Sequence, residues 1–436
     1  MALLYRPYRA QHALLLGTLF FSALFSNVIV SASEVTNPET LGFSTERLQR
    51  LEKAMHAEVD AKQLAGTVTL LANNEQLIRL DVYGQQDLAT KTEMKQDTIF
   101  RIFSMTKPIT ATAMMMLYEE GKWLPSDPIE KHIPEFKNLM VCVGKNNDGS
   151  LILEKPRHAP TMGELMSHTA GFGLGFLNSP TNELYRKADV FNSPDFKEFI
   201  KRVAVLPLDY QPGTQWEYSI SSDIQGYLVE RLSGIPFEQF LQQRLFKPLG
   251  MKDTAFAVPT EKRARLATTY QPDQNDVLQP MWSNEKENHS SIMPSGGGGL
   301  FSTASDYWHF AQMLLNKGTY NGKHILAPSS VTLMTANHLA DSLRTGNFGI
   351  GPYQMQPGLG FGYSMGVLDE PLKVNKTVGD GTYFWIGAAG TWFWIDPTNK
   401  LIFIGLSQRW MLAPGMPNLE DMSQALVYQA YTPLNH

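Results

Sequence analysis

The chain has 436 residues, 43% hydrophobic and 18% charged, with a formal net charge of −5. That balance supports a packed interior and excludes a chain disordered throughout; the length alone is compatible with up to about three domains. The negative charge, without any long basic run, argues against a nucleic-acid partner. The single cysteine, Cys142, excludes an internal disulfide and any multi-cysteine zinc or iron–sulfur site.

The first segment in chain order has the makeup of a secretory signal peptide, residues 1–32. Arg6 and Arg9 form a positive start, residues 13–25 an apolar run, and Val30-Ser31-Ala32 a small-residue cleavage site. The apolar run is about 13 residues long, short of the ~20 that a spanning helix needs. The expectation is an exported protein, periplasmic or secreted, with residues 33–436 as its mature part and no stable membrane anchor after cleavage.

A helix is expected over 45–61, with Leu48, Leu51 and Met55 on one face. Alternation predicts strands over 66–71 and 77–83, with Asn73-Asn74 as their turn. A strong helix follows over 104–120. Ile109, Ala113, Met116 and Leu117 lie on its apolar face, Met114 to Met116 fill its core, and Gly121 stops it. Residues 122–180 are turn-rich with short helices. Further helices are expected over 237–246, ended by Lys247-Pro248-Leu249-Gly250, and over 305–316, entered through Ser302-Thr303. Aromatic and β-branched runs then predict strands at 383–386, 392–395 and 401–406, with Asp396-Pro397 as punctuation. A closing helix covers 418–431.

The simplest assembly is an α/β (α+β) architecture. N-terminal strands pair with C-terminal ones in an antiparallel sheet lobe, about 40–120 and 350–436, flanked by helices from both chain ends. A mainly helical lobe, about 121–349, stands beside it, and a cleft between two lobes is a natural site.

Several chemistries can be set aside. There is no Gly-x-Ser-x-Gly elbow, no His-Glu-x-x-His pair and no Walker loop. No metal or other cofactor is expected. The Gly296 to Gly299 run lacks a following Lys-Ser/Thr, so it reads as a tight loop where backbones approach closely. Ser-x-x-Lys occurs twice, as Ser104 to Lys107 and as Ser283 to Lys286. Ser283 sits in a polar stretch that reads as a solvated loop. Ser104 instead opens an amphipathic helix, and Pro108 is tolerated there because it falls in the first turn.

That location suits a nucleophile. A serine hydroxyl needs a base, and residues i and i+3 share a helix face, so Lys107 lies one turn behind Ser104. The helix start also offers free N–H groups and a partial positive charge for an oxyanion. An ammonium cannot accept a proton, but a cation beside a phenol stabilises the phenolate. Tyr218, in Trp216-Glu217-Tyr218-Ser219-Ile220 after the turn Gln211-Pro212-Gly213, is the candidate partner among 16 tyrosines.

Together these segments resemble the serine β-lactamase and penicillin-binding protein superfamily, and most closely its class C-like branch with the family VIII carboxylesterases. Ser104-x-x-Lys107 resembles the first motif of that superfamily and Tyr218-Ser219-Ile220 the second. Phe384 to Thr391, with Trp385-Ile386-Gly387 in it, resembles the third, a Lys-Thr-Gly or Trp-Gly-Gly strand. Leu165 to Gly171, Leu245 to Thr254 and Gly297 to Asp306 are similar too, so the likeness spans about 45–430. The resemblance implies that Ser104 is acylated and that Tyr218, assisted by Lys107, takes its proton and later activates water. It implies an oxyanion hole from the N–H groups of Ser104 and Ala388, with Trp385 and Gly387 lining the cleft, Gly387 so that substrate can pass close to the strand.

The departures bear on substrate. Trp385 stands where β-lactamases and peptidases carry a lysine for the substrate carboxylate, and Ile220 where an asparagine commonly meets the amide. Losing a charged hydrogen bond costs roughly 1.5–3 kcal/mol, and burying an apolar side chain gains about as much. The balance tips toward neutral esters of short to medium chain. Ile386 replaces the usual first glycine and should point away from the cleft in a regular strand. β-Lactamase or D-amino-acid peptidase activity on cell-wall material is the alternative, and a catalytically silent penicillin-binding-like module a third reading. His168 reads as a structural hydrogen-bonder, Cys142 as inert, and Asp223 and Glu217, near Tyr218, as capping or solvated residues, with tuning of the Tyr218 pKa as the alternative. Lys376-Thr377 mimics a Lys-Thr start, but Val378 follows where glycine is needed.

Overall fold

The computed structural model describes residues 36–176, 181–281, 293–347, 349–350, 353–410 and 416–434. The expected signal peptide and the second Ser-x-x-Lys, Ser283 to Lys286, lie outside them. From Val35 onward the chain forms one compact unit.

Its frame is an antiparallel sheet of eight strands. In chain order these are β1 (Gly66–Asn73), β2 (Gln76–Asp87), β3 (Thr92–Glu93), β4 (Gly360–Phe361), β5 (Gly366–Leu368), β6 (Thr382–Gly387), β7 (Thr391–Asp396) and β8 (Leu401–Leu406). In space the order is β4-β5-β6-β7-β8-β1-β2-β3. The two chain ends therefore meet at the centre, where Val68 pairs with Leu406 and Asn73 with Leu401. Every residue of β1 and β8 is buried, as befits central strands covered on both faces. β1 and β2 run longer than alternation predicts, because pairing extends them past the apolar core, and Asn74 makes the turn at φ 53°.

Helices α1 (Thr45–Asp60), α2 (Thr106–Glu119), α3 (Ser221–Ser233), α4 (Ala304–Leu315) and α5 (Leu419–Ala430) cover the sheet and build the neighbouring helical region. Ser44 caps α1, accepting from the Arg47 N–H, and α1 buries Leu48, Leu51 and Met55. Asn418 caps α5 in the same way. The ends of these helices are joined where the Ser44 N–H donates to the Ala430 carbonyl. α5 also accepts the indole N–H groups of Trp392 and Trp394 on Ser423, at 3.2 and 3.0 Å. That contact places Trp392 and Trp394 on the α1/α5 face. Phe393, against Tyr307 of α4 at 5.1 Å, faces the other way.

Four local features depart from the sequence reading. The helix expected from residue 104 begins as a 3-10 turn, Phe103–Met105, before α2. The helix at Phe237–Leu241 continues as a π-turn over Gln242–Phe246 and ends only at Gly250, φ 71°. The turn-rich stretch holds a hairpin, Val141–Lys145 with Leu151–Glu154, whose exposed Val143, Ile152 and Leu153 gave no clear alternation. α3 itself had no strong sequence signal, because its first turn, Ser221, Ser222 and Asp223, is polar yet buried.

Candidate active site

Ser104 is positioned by backbone. Phe100–Arg101 pairs with Phe301–Ser302, and the Ile102 N–H donates to the Leu300 carbonyl at 3.0 Å. Phe103 then turns the chain through the left-handed region at φ 43°. A non-glycine residue there costs on the order of 1–3 kcal/mol, a strain that tends to be kept at functional sites. The turn places Ser104 ahead of α2, half-buried, with the Phe103 ring edge-on to Trp410 at 5.0 Å. The Tyr307 hydroxyl donates to the Met105 carbonyl at 3.0 Å and pins this corner from α4.

Lys107 lies one turn on, only 4% exposed. Its Nζ donates to Ser104 Oγ at 3.2 Å and to the Gly297 carbonyl at 2.6 Å. The glycine run is the close-approach loop expected of it. A Cβ on Gly296 would sit 2.3 Å from the Ser222 carbonyl oxygen, and one on Gly297 2.6 Å from Asp223 Oδ2. Asp223 accepts from Ser295 Oγ at 2.6 Å and from the Gly297 N–H at 3.1 Å. Burial pushes its carboxyl up, while Ser295 and the Lys107 charge pull it down. Thr110 Oγ1 donates to the Gly296 carbonyl at 2.8 Å, and Thr106 Oγ1 accepts from the Leu300 N–H at 3.2 Å. α2, the loop and α3 thus form one network around the lysine. Asp223 is no simple cap, because it holds the loop that holds Lys107. Its place in the first turn after Tyr218, together with the glycine run, was the available signal. The pairing of the two is a tertiary fact.

Tyr218 approaches from the other side. Its Oη lies 2.6 Å from Ser104 Oγ, and two hydroxyls can share a proton in either direction. Lys107 Nζ stands 4.5 Å from the ring centroid, within cation–π range. The ring is stacked on His168 at 5.5 Å and 10°, and meets Trp385 at 5.6 Å. His168 is the structural hydrogen-bonder that the sequence suggested, its Nδ1 accepting from the Ser219 N–H at 3.1 Å. Burial, and then the Lys107 charge, lower its pKa to about 3, so it stays neutral.

The third motif lies on β6. Trp385 pairs with Phe393 and Ile386 with Trp392. Trp385 therefore faces Tyr218, while Ile386 lies on the α1/α5 face, away from Ser104, as a regular strand requires. Two expectations change. Gly387 is needed for the chain's own sake, since a Cβ there would lie 2.4 Å from the Ile102 carbonyl oxygen. Trp385 is 1% exposed, packed against Tyr218, Phe361 and Tyr353, so its ring backs Tyr218 and offers almost no free surface. Ile220, fully buried, likewise adds no open wall. Ala388, half-buried, begins the turn after β6, beside the Gly387–Ile102 contact.

Lys376 is far from this chemistry in role, reaching Asp421 and Gln424 on α5. Cys142 is buried and free. Among the described residues no group of three or more His, Cys, Asp or Glu side chains is placed to hold a metal ion.

Comparison with known proteins fits this geometry. The family model described as Beta-lactamase matches residues 49–421. Protein Rv1367c of Mycobacterium tuberculosis is 36% identical over 354 residues, covering 80% of this chain and 87% of its own. Esterase EstB of Burkholderia gladioli is 28% identical over 369 residues, covering 80% and 86%. Among solved structures, EstCE1, described as a hydrolase with promiscuous acyltransferase activity, superposes with a TM-score of 0.73 at 23% identity, covering 88% of this chain and 98% of its own.

Proposed function

The chain belongs to the beta-lactamase family of serine hydrolases, and from that premise we propose that it is an exported carboxylesterase working through an acyl-enzyme on Ser104. The observation behind this reading is the convergence of Tyr218 Oη at 2.6 Å and Lys107 Nζ at 3.2 Å on one serine oxygen. The nearby ammonium stabilises Tyr218 as a phenolate, which accepts the serine proton and becomes a phenol as Ser104 Oγ attacks the ester carbonyl. The same group returns the proton to the leaving alcohol and then activates water for deacylation. The N–H groups of Ser104 and Ala388 hold the oxyanion. With Trp385 in place of a lysine, no cation stands there for a substrate carboxylate, which favours neutral esters, and the similarity to EstB supports an ester over an amide.

Hydrolysis of p-nitrophenyl butyrate by the mature protein, beside Ser104→Ala, tests this. Turnover by the first and its loss by at least about 10³-fold in the second are expected. No turnover by the first, or faster turnover of a cephalosporin, overturns the esterase reading. Export rests on the pattern of residues 1–32, and N-terminal sequencing of the protein from its host should begin at Ser33.

A further inference from the structure

Beside Tyr218 the fold buries two carboxyl groups that the mechanism above does not use. Asp209 is 4% and Glu217 7% exposed, and the Glu217 carboxyl lies within hydrogen-bonding reach of the Asp209 carboxyl. A carboxylate only accepts, so a hydrogen bond joins the two when one of them carries a proton. The pair closes the base of a loop over residues 209–217, and Tyr218 is the next residue. The loop is laid along residues 168–173. The Asp209 N–H donates to the Gly171 carbonyl at 2.7 Å, Gly213 to Thr169 at 2.8 Å and Glu217 to His168 at 3.0 Å. Ile220, on the far side of Tyr218, donates to Gly173 at 3.2 Å. A Cβ on Gly173 would lie 2.8 Å from Asp209 Oδ2, so that strip packs directly on the pair.

We propose that the proton shared by Asp209 and Glu217 is a brace that positions Tyr218 against Ser104, and that its loss sets the alkaline limit of the reaction. The inference rests on Tyr218 acting on Ser104. When hydroxide takes the proton, two carboxylates face each other in the interior and the loop that carries Tyr218 opens. Among the described residues, the titratable groups facing the pair are Tyr185, from the helix Asn182–Ala188, and Tyr210 within the loop, neither of which is cationic. His168, across the backbone bond, is neutral. Burial first, and then the Asp209 charge, push the Glu217 carboxyl up to about 9. Asp209 and Glu217 are positioning residues, since they reach the reaction only through Tyr218.

The test is the pH profile of Ser104 labelling by a fluorophosphonate, measured on the mature protein, Glu217→Gln and Asp209→Asn. An amide keeps the hydrogen bond without needing the proton. Labelling of the wild-type protein should fall above about pH 9. In either variant, the ratio of the rate at pH 10 to that at pH 7 should exceed the wild-type ratio by at least about tenfold, one pH unit of displacement. A purely structural role would lower rates equally at every pH. No fall in the wild type up to pH 10, or an unmoved fall in a folded variant, overturns the proposal. Two variants guard against a failure to fold in one. Labelling does not depend on which ester or amide is turned over, so failure of the carboxylesterase reading leaves this test standing.

Discussion

Ser104 stands between two unlike interiors. On the α2 side, Lys107, Gly297, Asp223, Ser295 and Thr110 join charge and backbone through hydrogen bonds. On the other side, the Tyr218 ring is held by shape, among His168, Trp216, Phe361 and Trp385, and the hydrogen bonds that place it act through the backbone of its loop. There His168 Nε2 and the indole N–H groups of Trp216 and Trp385 meet no partner in the protein among the described residues. The difference follows from what each group must do. A buried ammonium needs fixed acceptors to remain in place. A phenol that exchanges a proton needs its ring fixed and its oxygen uncommitted to anything except Ser104.

This contrast can be broken from either side. Lys107→Ala removes the cation from the polar side, and should lower kcat for p-nitrophenyl butyrate by about 10²–10⁴-fold. A loss below tenfold would mean that Tyr218 works without it. Asp223→Asn keeps the shape of the side chain but weakens its hold on Ser295 and Gly297. Chemical denaturation should show about 1–3 kcal/mol of lost stability, with a fall in kcat smaller than that of Lys107→Ala. Unchanged stability would show that the glycine loop supports itself. Trp385→Phe tests the aromatic side and should have the smallest effect. Stability should fall by less than about 1.5 kcal/mol. KM should change by less than about threefold, since the ring has little surface to offer. A tenfold rise in KM, about 1.4 kcal/mol of binding, would place substrate on the ring and restore the cleft-lining role that the sequence suggested.

The pH behaviour sharpens the same comparison through stability. With the Glu217 carboxyl raised to about 9 against an ordinary value of 4.5, the folded state holds a proton that the unfolded chain releases. The stability this contributes is fully present below about 4.5 and is lost as pH rises toward about 9. The melting temperature of the wild type should decline across that window more steeply than that of Glu217→Gln.

Much of the sheet was legible because its strands carry local signals. β6, β7 and β8 are aromatic and β-branched runs, and none extends more than one residue at either end beyond its expected range. The helix at Ser104 was legible because one turn brings serine and lysine together without help from the rest of the chain. α3 was not, since its polar first turn is buried by partners from residues 295–297 that lie far along the chain. The same holds for the Asp209–Glu217 pair. Acidic residues read as solvated until the fold removes the water.

The sequence by itself determined the family, the order of the three motifs, the i, i+3 pairing of Ser104 with Lys107 and the orientation of Ile386 within a regular strand. These depend on periodicity and on contacts within one element. Only the tertiary structure decided that Tyr218 meets Ser104 across 114 residues of chain, that Asp223 and a glycine loop anchor the lysine, and that Trp385 stands behind the tyrosine. Those outcomes depend on which surfaces are buried against each other. Burial decides whether a carboxyl group keeps its proton and whether an aromatic ring remains a wall of the cleft.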